Sequence, residues 1–356
     1  MVKHKQPQRK FKVPVIVKEL PADPEYTQLL AIQARLLSLD STNSIVLNTR
    51  RTVNDASDRD VLVPQQALLG VIQHAFSAIF ADPQFPVHVR TIKDLFLERD
   101  FVGIFTDPIL LPVYAAEYIP CRALCYRDIF LRIDEIRTCL HEGGQILCLG
   151  AGNGSELLGI GSALHGMQPI SSLTVHLQDL SSYGSVIQRI SESMHALLDI
   201  GAPALEVTES TGNLLELDDL KATVIPVACN AKLITAMFIL NELLSNSKRG
   251  FVTLISQLIE HMPSGGYLLV VDSAGSFSEV KLGSNASNAS NASSNPDNQS
   301  SEPQQRIYMA FKLLDAIHAL QTCVSYDSVW YRCSPHLSFP SKLNSMRYYL
   351  RLYQKR

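Results

Sequence analysis

Three glycines alternate with other residues at Gly150-Ala151-Gly152-Asn153-Gly154, directly after the apolar run Ile146-Leu147-Cys148-Leu149 and directly before Ser155-Glu156-Leu157-Leu158. The order is strand, glycine turn, helix. Glycine tolerates positive φ and has no Cβ, so a ligand can lie against the backbone itself. The free N–H groups that open the next helix favour a carboxylate or a phosphate. A dinucleotide site of the G-x-G-x-x-G kind needs its third glycine at position 155, where this chain has Ser155. The spacing here is G-x-G-x-G, which points to a ligand other than a pyrophosphate.

Further polar residues stand where the following strands should end. Asp179 closes the run Leu173–Gln178, 25 residues after Gly154, and a carboxylate there can accept hydrogen bonds from both hydroxyls of a ribose. A helix-capping acid followed by Leu180-Ser181-Ser182 explains the same position in structural terms. Gly212-Asn213-Leu214-Leu215 follows a third run, where an Asx turn is as good an account as a ligand contact. Phe238-Ile239-Leu240-Asn241-Glu242 ends the fourth, which would put two polar side chains at the edge where open α/β sheets hold their ligands. Asp272 follows the fifth run.

The elements that must position these residues fall into two halves. Residues 20–142 show helix-period apolar spacing, at Leu29, Ile32, Leu36 and Leu37 and again at Leu68, Leu69, Ile72, Phe76 and Phe80. Pro83 and Pro86 divide these helices, and Glu117-Tyr118-Ile119-Pro120 predicts an extended step, since the residue before a proline is pushed away from the helical region. From Gln145 the pattern changes to short β-like runs at 145–149, 173–178, about 204–208, 233–239 and 267–271, alternating with helical stretches. That alternation predicts an α/β fold with a doubly wound, mostly parallel sheet. Residues 283–305 carry no aromatic and almost no large apolar residue, which predicts a disordered insertion. Beyond it, 307–323 reads as a helix, and 328–331 and 346–353 read as two closing strands. The resulting division is a basic flexible tail over 1–18, a helical region over 19–142 and a ligand-binding α/β domain over 143–356.

Composition excludes several classes. The seven cysteines are odd in number, sit mostly in apolar runs and form no C-x-x-C pair, so they read as small buried hydrophobes in a reducing compartment rather than as a disulfide frame or metal site. No apolar core follows the basic residues Lys3, Lys5, Arg9, Lys10 and Lys12, which argues against a secretory signal. No run reaches the ~20 apolar residues of a membrane span. The expected location is the nucleus or the cytoplasm. Net charge is −3, so a nucleic-acid partner would have to be held by local patches such as that basic tail or Lys342, Arg347, Arg351, Lys355 and Arg356.

The glycine loop resembles the first motif of class I S-adenosylmethionine methyltransferases, although Cys148 stands where many of them carry an acid. A longer set of residues is similar to the fungal large-subunit (25S) ribosomal RNA uridine-N3 methyltransferase family. The set is Phe105-Thr-Asp-Pro-Ile-Leu-Leu-Pro-Val-Tyr114, Tyr118-Ile-Pro120-Cys-Arg122 through Phe130, Cys148 through Glu156, Gln178-Asp179, Asn241-Glu242 and Arg347-Tyr-Tyr. The resemblance implies a Rossmann-like sheet with an antiparallel last strand, S-adenosyl-L-methionine as cofactor and no metal. It further implies that the partner is ribosomal RNA or a pre-ribosomal particle in the nucleolus.

On that footing the cofactor set is Gly150, Ala151, Gly152, Asn153, Gly154, Glu156, Asp179, Leu180, Asn213, Leu214, Asn241 and Arg122, with Asn213 facing the adenine. Glu242, with Asn241 or Asp272, would handle the proton that uridine N3 must lose. Arg122 would meet the cofactor's carboxylate or an RNA phosphate, and Tyr118 and Tyr126 would roof the cofactor or stack on a flipped base. No Asn/Asp-Pro-Pro-Tyr/Phe follows the fourth strand, which argues against exocyclic amines as acceptors. Two other readings stay open: an enzyme of this fold acting on a small molecule or a protein, and a non-catalytic assembly factor.

Overall fold

Strand residues alternate between two apolar faces, and both faces are covered. Ile146 and Cys148 enter one core while Leu147 and Leu149 enter the other, and Leu269 and Val271 are split in the same way from Leu268 and Val270. This period of two, with every position apolar, is what a sheet buried on both sides requires. The computed structural model describes residues 59–98, 100–165, 167, 171–198, 200, 205–274 and 310–356. The basic tail, the helices expected before residue 59 and the insertion at 283–305 lie outside the described residues.

The strands are β1 (Gly144–Leu149), β2 (Leu173–Asp179), β3 (Leu205–Thr211), β4 (Ala231–Met237), β5 (Tyr267–Ser273), β6 (Leu320–Tyr331) and β7 (Met346–Lys355). They form one sheet in the order β3-β2-β1-β4-β5-β7-β6. β1 to β5 run parallel, and β7 is antiparallel to both β5 and β6. The chain builds outward from β1 to β3 and then returns to β4 on the other side of β1. The switch point of the sheet therefore lies between the carboxyl ends of β1 and β4, where α/β sheets open a crevice. The doubly wound, mostly parallel fold expected from the sequence is the fold observed.

The longer helices are α1 (Arg59–Ala75), α2 (Phe85–Glu98), α3 (Leu110–Arg132), α4 (Asp134–Glu142), α5 (Ser155–Leu164), α6 (Gly184–Leu197), α7 (Leu240–Asn246) and α8 (Lys248–His261). Leu68, Leu69, Ile72 and Phe76 of the first helical stretch share a core with α3, α5, α6 and one face of the sheet. α2, the turn Phe101–Phe105 and the start of α3 gather a satellite cluster around Ile92, Ile104 and Val113. Among the described residues, no helix is long and apolar enough to cross a membrane.

Two expectations fail for identifiable reasons. α3 runs straight through Pro120, where an extended step was expected. An interior proline costs about 3 kcal/mol. Sixteen of the 23 residues of α3 are buried, however, and a buried large apolar side chain contributes about 1.5–3 kcal/mol, so burial outweighs the lost hydrogen bond. The helix expected over 307–323 is reduced, among the described residues, to Ala310–Leu314, and Leu320–Cys323 begins β6. Leu313, Leu314, Ile317 and Leu320 have helical spacing, but pairing of Leu320 with Lys355 across β7 decides the conformation.

Candidate active site

The turn after β1 uses its three glycines in two different ways. All have positive φ: 62° at Gly150, 52° at Gly152 and 84° at Gly154. A Cβ at Gly150 would lie 2.7 Å from Ile239 Cγ1, and one at Gly154 would lie 2.6 Å from Ile187 Cδ1, so close packing forbids a side chain at both. At Gly152 the nearest atom to such a Cβ is Asp179 Oδ2 at 3.8 Å. The backbone is bare there and faces open space.

Hydrogen bonds stitch neighbouring loops into one rim. Gly152 N–H donates to Asp179 Oδ2 at 2.8 Å and Ala151 N–H to the Gln178 carbonyl at 3.0 Å. Gln178 Nε2 donates to the Gly212 carbonyl at 2.6 Å, and Gly212 N–H returns to the Asp179 carbonyl at 3.0 Å. Asp179 is half-buried. Burial raises its carboxyl above the ordinary carboxylate value, against the N–H donors of Ser181 and Gly152 that stabilise its charge.

A cavity of about 420 Å³ lies over this rim at the switch point. Gly150 to Asn153, Glu156, Asp179, Leu180, Asn213, Leu214, Arg122 and Glu242 all contribute to its wall. Asn213 forms an Asx turn, its Oδ1 accepting from Leu215 N–H at 3.0 Å while its own N–H donates to Asp219. Arg122 donates to the Tyr114 hydroxyl at 2.7 Å, and its guanidinium lies over the Tyr114 and Tyr118 rings. Glu156 is 2% exposed and has one carboxyl oxygen without a partner. Burial pushes its pKa up to about 8, against the lowering effect of its own backbone N–H and of Arg122. Asn153 Nδ2 is a second buried polar atom without a partner beside the cavity. A bare backbone, a half-buried cation and unsatisfied buried polar atoms fit a zwitterionic ligand with a sugar.

The model of a family of S-adenosylmethionine-dependent methyltransferases matches residues 72–354. The chain belongs to that family. Its methyl donor is S-adenosyl-L-methionine. The 25S rRNA (uridine(2843)-N(3))-methyltransferase of Saccharomyces cerevisiae is 22% identical over 293 residues, covering 75% of this chain and 77% of the relative. An O-methyltransferase family protein from Burkholderia thailandensis is 14% identical with a TM-score of 0.39, covering 93% of this chain and 84% of that one. An N-methyltransferase from Bradyrhizobium japonicum, solved with S-adenosyl-L-homocysteine, is 11% identical with a TM-score of 0.33, covering 69% and 96%.

Several expected site residues of this methyltransferase stand elsewhere. Gly154, Asn241 and Asp272 are outside the cavity wall, Gly154 packed against Ile187 and the other two each 5% exposed. Asn241 lies in the first turn of α7 instead of at the strand edge. Its N–H donates to Asp272 Oδ2 at 3.0 Å, and its Oδ1 accepts from Ala310 N–H and the Tyr349 hydroxyl. Asp272 thus holds the start of α7, a use that leaves no face for substrate. Tyr126 does line the cavity, but as a buried ring stacked on Phe238; Tyr118 packs among Phe96 and Tyr114, away from the wall. Cys148 is fully buried in the core, so the position that often holds an acid does not face the ligand space here. Arg351, counted with the exposed basic patch, is 4% exposed and paired with Asp315 and Asp327. Cys229 is exposed, unlike the buried hydrophobe expected of it.

The roof of the cavity was not foreseen. Phe96, Phe101, Phe105, Tyr183 and Phe238 line it, with Phe105 5.1 Å from Tyr114 and 6.0 Å from Tyr183 between ring centroids. The density of aromatics between residues 96 and 126 is the one sequence signal that could have found Phe96, Phe101 and Phe105. Phe238 has φ 61°, the lone non-glycine with positive φ among the described residues. Its N–H donates to the Val271 carbonyl at 2.7 Å. Such a residue stores about 1–2 kcal/mol, and strain of this kind concentrates at functional sites.

Proposed function

We propose that this methyltransferase transfers its methyl group to N3 of a uridine in large-subunit ribosomal RNA, as the named activity of the yeast relative suggests. The observation that carries the reading is a carboxylate in the wall of an aromatic-roofed cavity: Glu242 is exposed and lines the cavity together with the glycine turn. Partial desolvation raises its pKa, and the charges of Asp179 and Asp272 add to the shift. A carboxylate made more basic in this way suits a proton on an imide nitrogen better than an ordinary one does.

In this reading Gly150 to Asn153 receive the methionine part of the cofactor along their backbone, and Asp179 takes the ribose hydroxyls. Asn213 and Leu214 flank the adenine. Arg122 and Glu156 hold the carboxylate and ammonium of the methionine between them. The cofactor supplies a methyl group on a sulfonium, ready for in-line displacement. The protein has to align the acceptor and remove its proton, and little covalent machinery is needed. Phe96, Phe101 and Phe105 exclude water and offer ring faces to a base withdrawn from its stack. The acceptor RNA is met free or in a pre-ribosomal particle, with the nucleolus or the cytoplasm as the site of action.

The test is quantitative nucleoside mass spectrometry of ribosomal RNA from cells with and without the protein, followed by addition of the purified chain and S-adenosylmethionine to the deficient RNA. Loss of one 3-methyluridine and its restoration in vitro are expected. An unchanged nucleoside profile would sink the assignment.

A further inference from the structure

The chain has a single tryptophan, Trp330, and it is 52% exposed at the end of the edge strand β6. Two arginines flank its ring: the guanidinium of Arg332 lies 5.6 Å from the ring centroid and that of Arg347 lies 5.9 Å from it. Arg347 is the cross-strand partner of Trp330 on β7, and its Nε donates to Ser328 Oγ at 2.9 Å, which fixes the group in place. Both arginines are exposed. An indole half open to solvent with two guanidinium groups beside it puts an aromatic surface and two cations at one place.

The sheet puts this cluster on the same side of the molecule as the cavity. β7 is antiparallel to β5, with Ser273 at the carboxyl end of β5 paired to Tyr348, so the start of β7 and the end of β6 lie at the carboxyl edge of the parallel strands. Three strand spacings separate β4 from β6 in the sheet order. At ~4.8 Å per spacing, the cluster stands about 14 Å along the edge from the end of β4.

We propose that Trp330, Arg332 and Arg347 form a secondary binding site for single-stranded RNA, which holds the substrate a few nucleotides from the one at the cavity. The indole stacks on a base, and the arginines meet flanking phosphates, the combination by which single strands are held without sequence preference. A net charge of −3 gives the whole molecule no long-range attraction for RNA, so local cationic groups of this kind have to supply it. The proposal rests on RNA being the substrate.

Because Trp330 is the sole tryptophan, the intrinsic fluorescence of the full-length protein reports on this site directly. Titration with a single-stranded oligouridylate is expected to quench it, less so as salt is raised, while poly-glutamate leaves it unchanged. Trp330→Ala and Arg347→Glu are each expected to raise KM for the deficient ribosomal RNA about 5- to 50-fold, as loss of a stacked base or phosphate contact does. kcat and cofactor affinity should stay within about twofold. Absence of quenching together with an unchanged KM in both variants would overturn the site while leaving the RNA reading intact. Quenching by poly-glutamate in place of RNA would overturn it in favour of an acidic protein partner. Failure of the wild-type chain to methylate any RNA would instead count against the substrate reading, and fluorescence quenching by oligouridylate would still separate the two.

Discussion

The turns after β1 and β4 face each other across the switch point, and both put positive φ at the edge of the cavity, yet they are built from opposite materials. After β1 the residues are glycines, packed tightly at Gly150 and Gly154 and open at Gly152. After β4 the residue is Phe238, a bulky side chain held in a conformation that glycine would adopt at no cost. The first turn removes side chains so that the backbone itself meets a ligand. The second accepts strain and projects a ring that stacks on Tyr126 at 6.2 Å. One half of the cavity is thus shaped for a ligand fixed by polar backbone and carboxylates, the other for an acceptor judged by aromatic faces and a single carboxylate, Glu242.

The bluntest way to break this contrast is Gly152→Arg. Only Asp179 Oδ2 at 3.8 Å and the Gly150 carbonyl at 3.9 Å lie within 4 Å of its Cβ, so the new side chain, at a positive φ of 52°, would enter the cavity and leave the core alone. Binding of S-adenosylmethionine by calorimetry should fall more than ~100-fold with circular dichroism unchanged, since the ligand and the side chain compete for the same space. Normal affinity would show that the bare backbone is not the cofactor's seat.

On the opposite turn, Glu242→Gln keeps the shape and removes the base. We expect cofactor affinity within about twofold of the parent and methyl transfer slower by about 10²–10⁴, the usual worth of a positioned proton acceptor. Unchanged turnover would remove Glu242 from the chemistry.

Glu156 sharpens the comparison through pH. Its carboxyl titrates near pH 8 in the fold against an ordinary value of 4.5, so between those values the native state holds more protons than the unfolded one. The stability this group contributes is therefore complete below about pH 4.5 and is lost as pH rises through 8, on the order of a few kcal/mol at most. Glu156→Gln should flatten the fall in melting temperature of the cofactor-free protein across that range; a parallel pair of curves would refute the assignment.

The smallest effect compares two replacements at one position. Phe238→Gly and Phe238→Ala both lose the ring, but only glycine relieves the left-handed backbone, so in urea unfolding the glycine variant should be the more stable by about 1 kcal/mol. Equal stabilities would mean that the positive φ carries no strain.

The glycine turn, the strand alternation from β1 to β5 and Asp179 were legible in the sequence because each is a local signal: spacing of glycines, period-two burial and a polar residue at a strand's end. Pro120 and the stretch after residue 314 misled because their local preferences are weak beside burial in α3 and pairing with β7. Phe96, Phe101 and Phe105 carry no motif of their own. They become cavity residues only when α2 and the following turn fold back over the glycine loop.

By itself, then, the sequence determined which chemistry the first turn could accommodate, since backbone freedom at Gly150, Gly152 and Gly154 is a property of the residues. The tertiary structure alone decided which carboxylates face the cavity. Asp272 stands at the carboxyl end of β5 and Glu242 in the helix that follows β4, yet hydrogen bonding to Asn241 N–H turns Asp272 into a helix anchor and leaves Glu242 at the cavity. A side chain's direction depends on what packs around it, and no spacing along the chain encodes that.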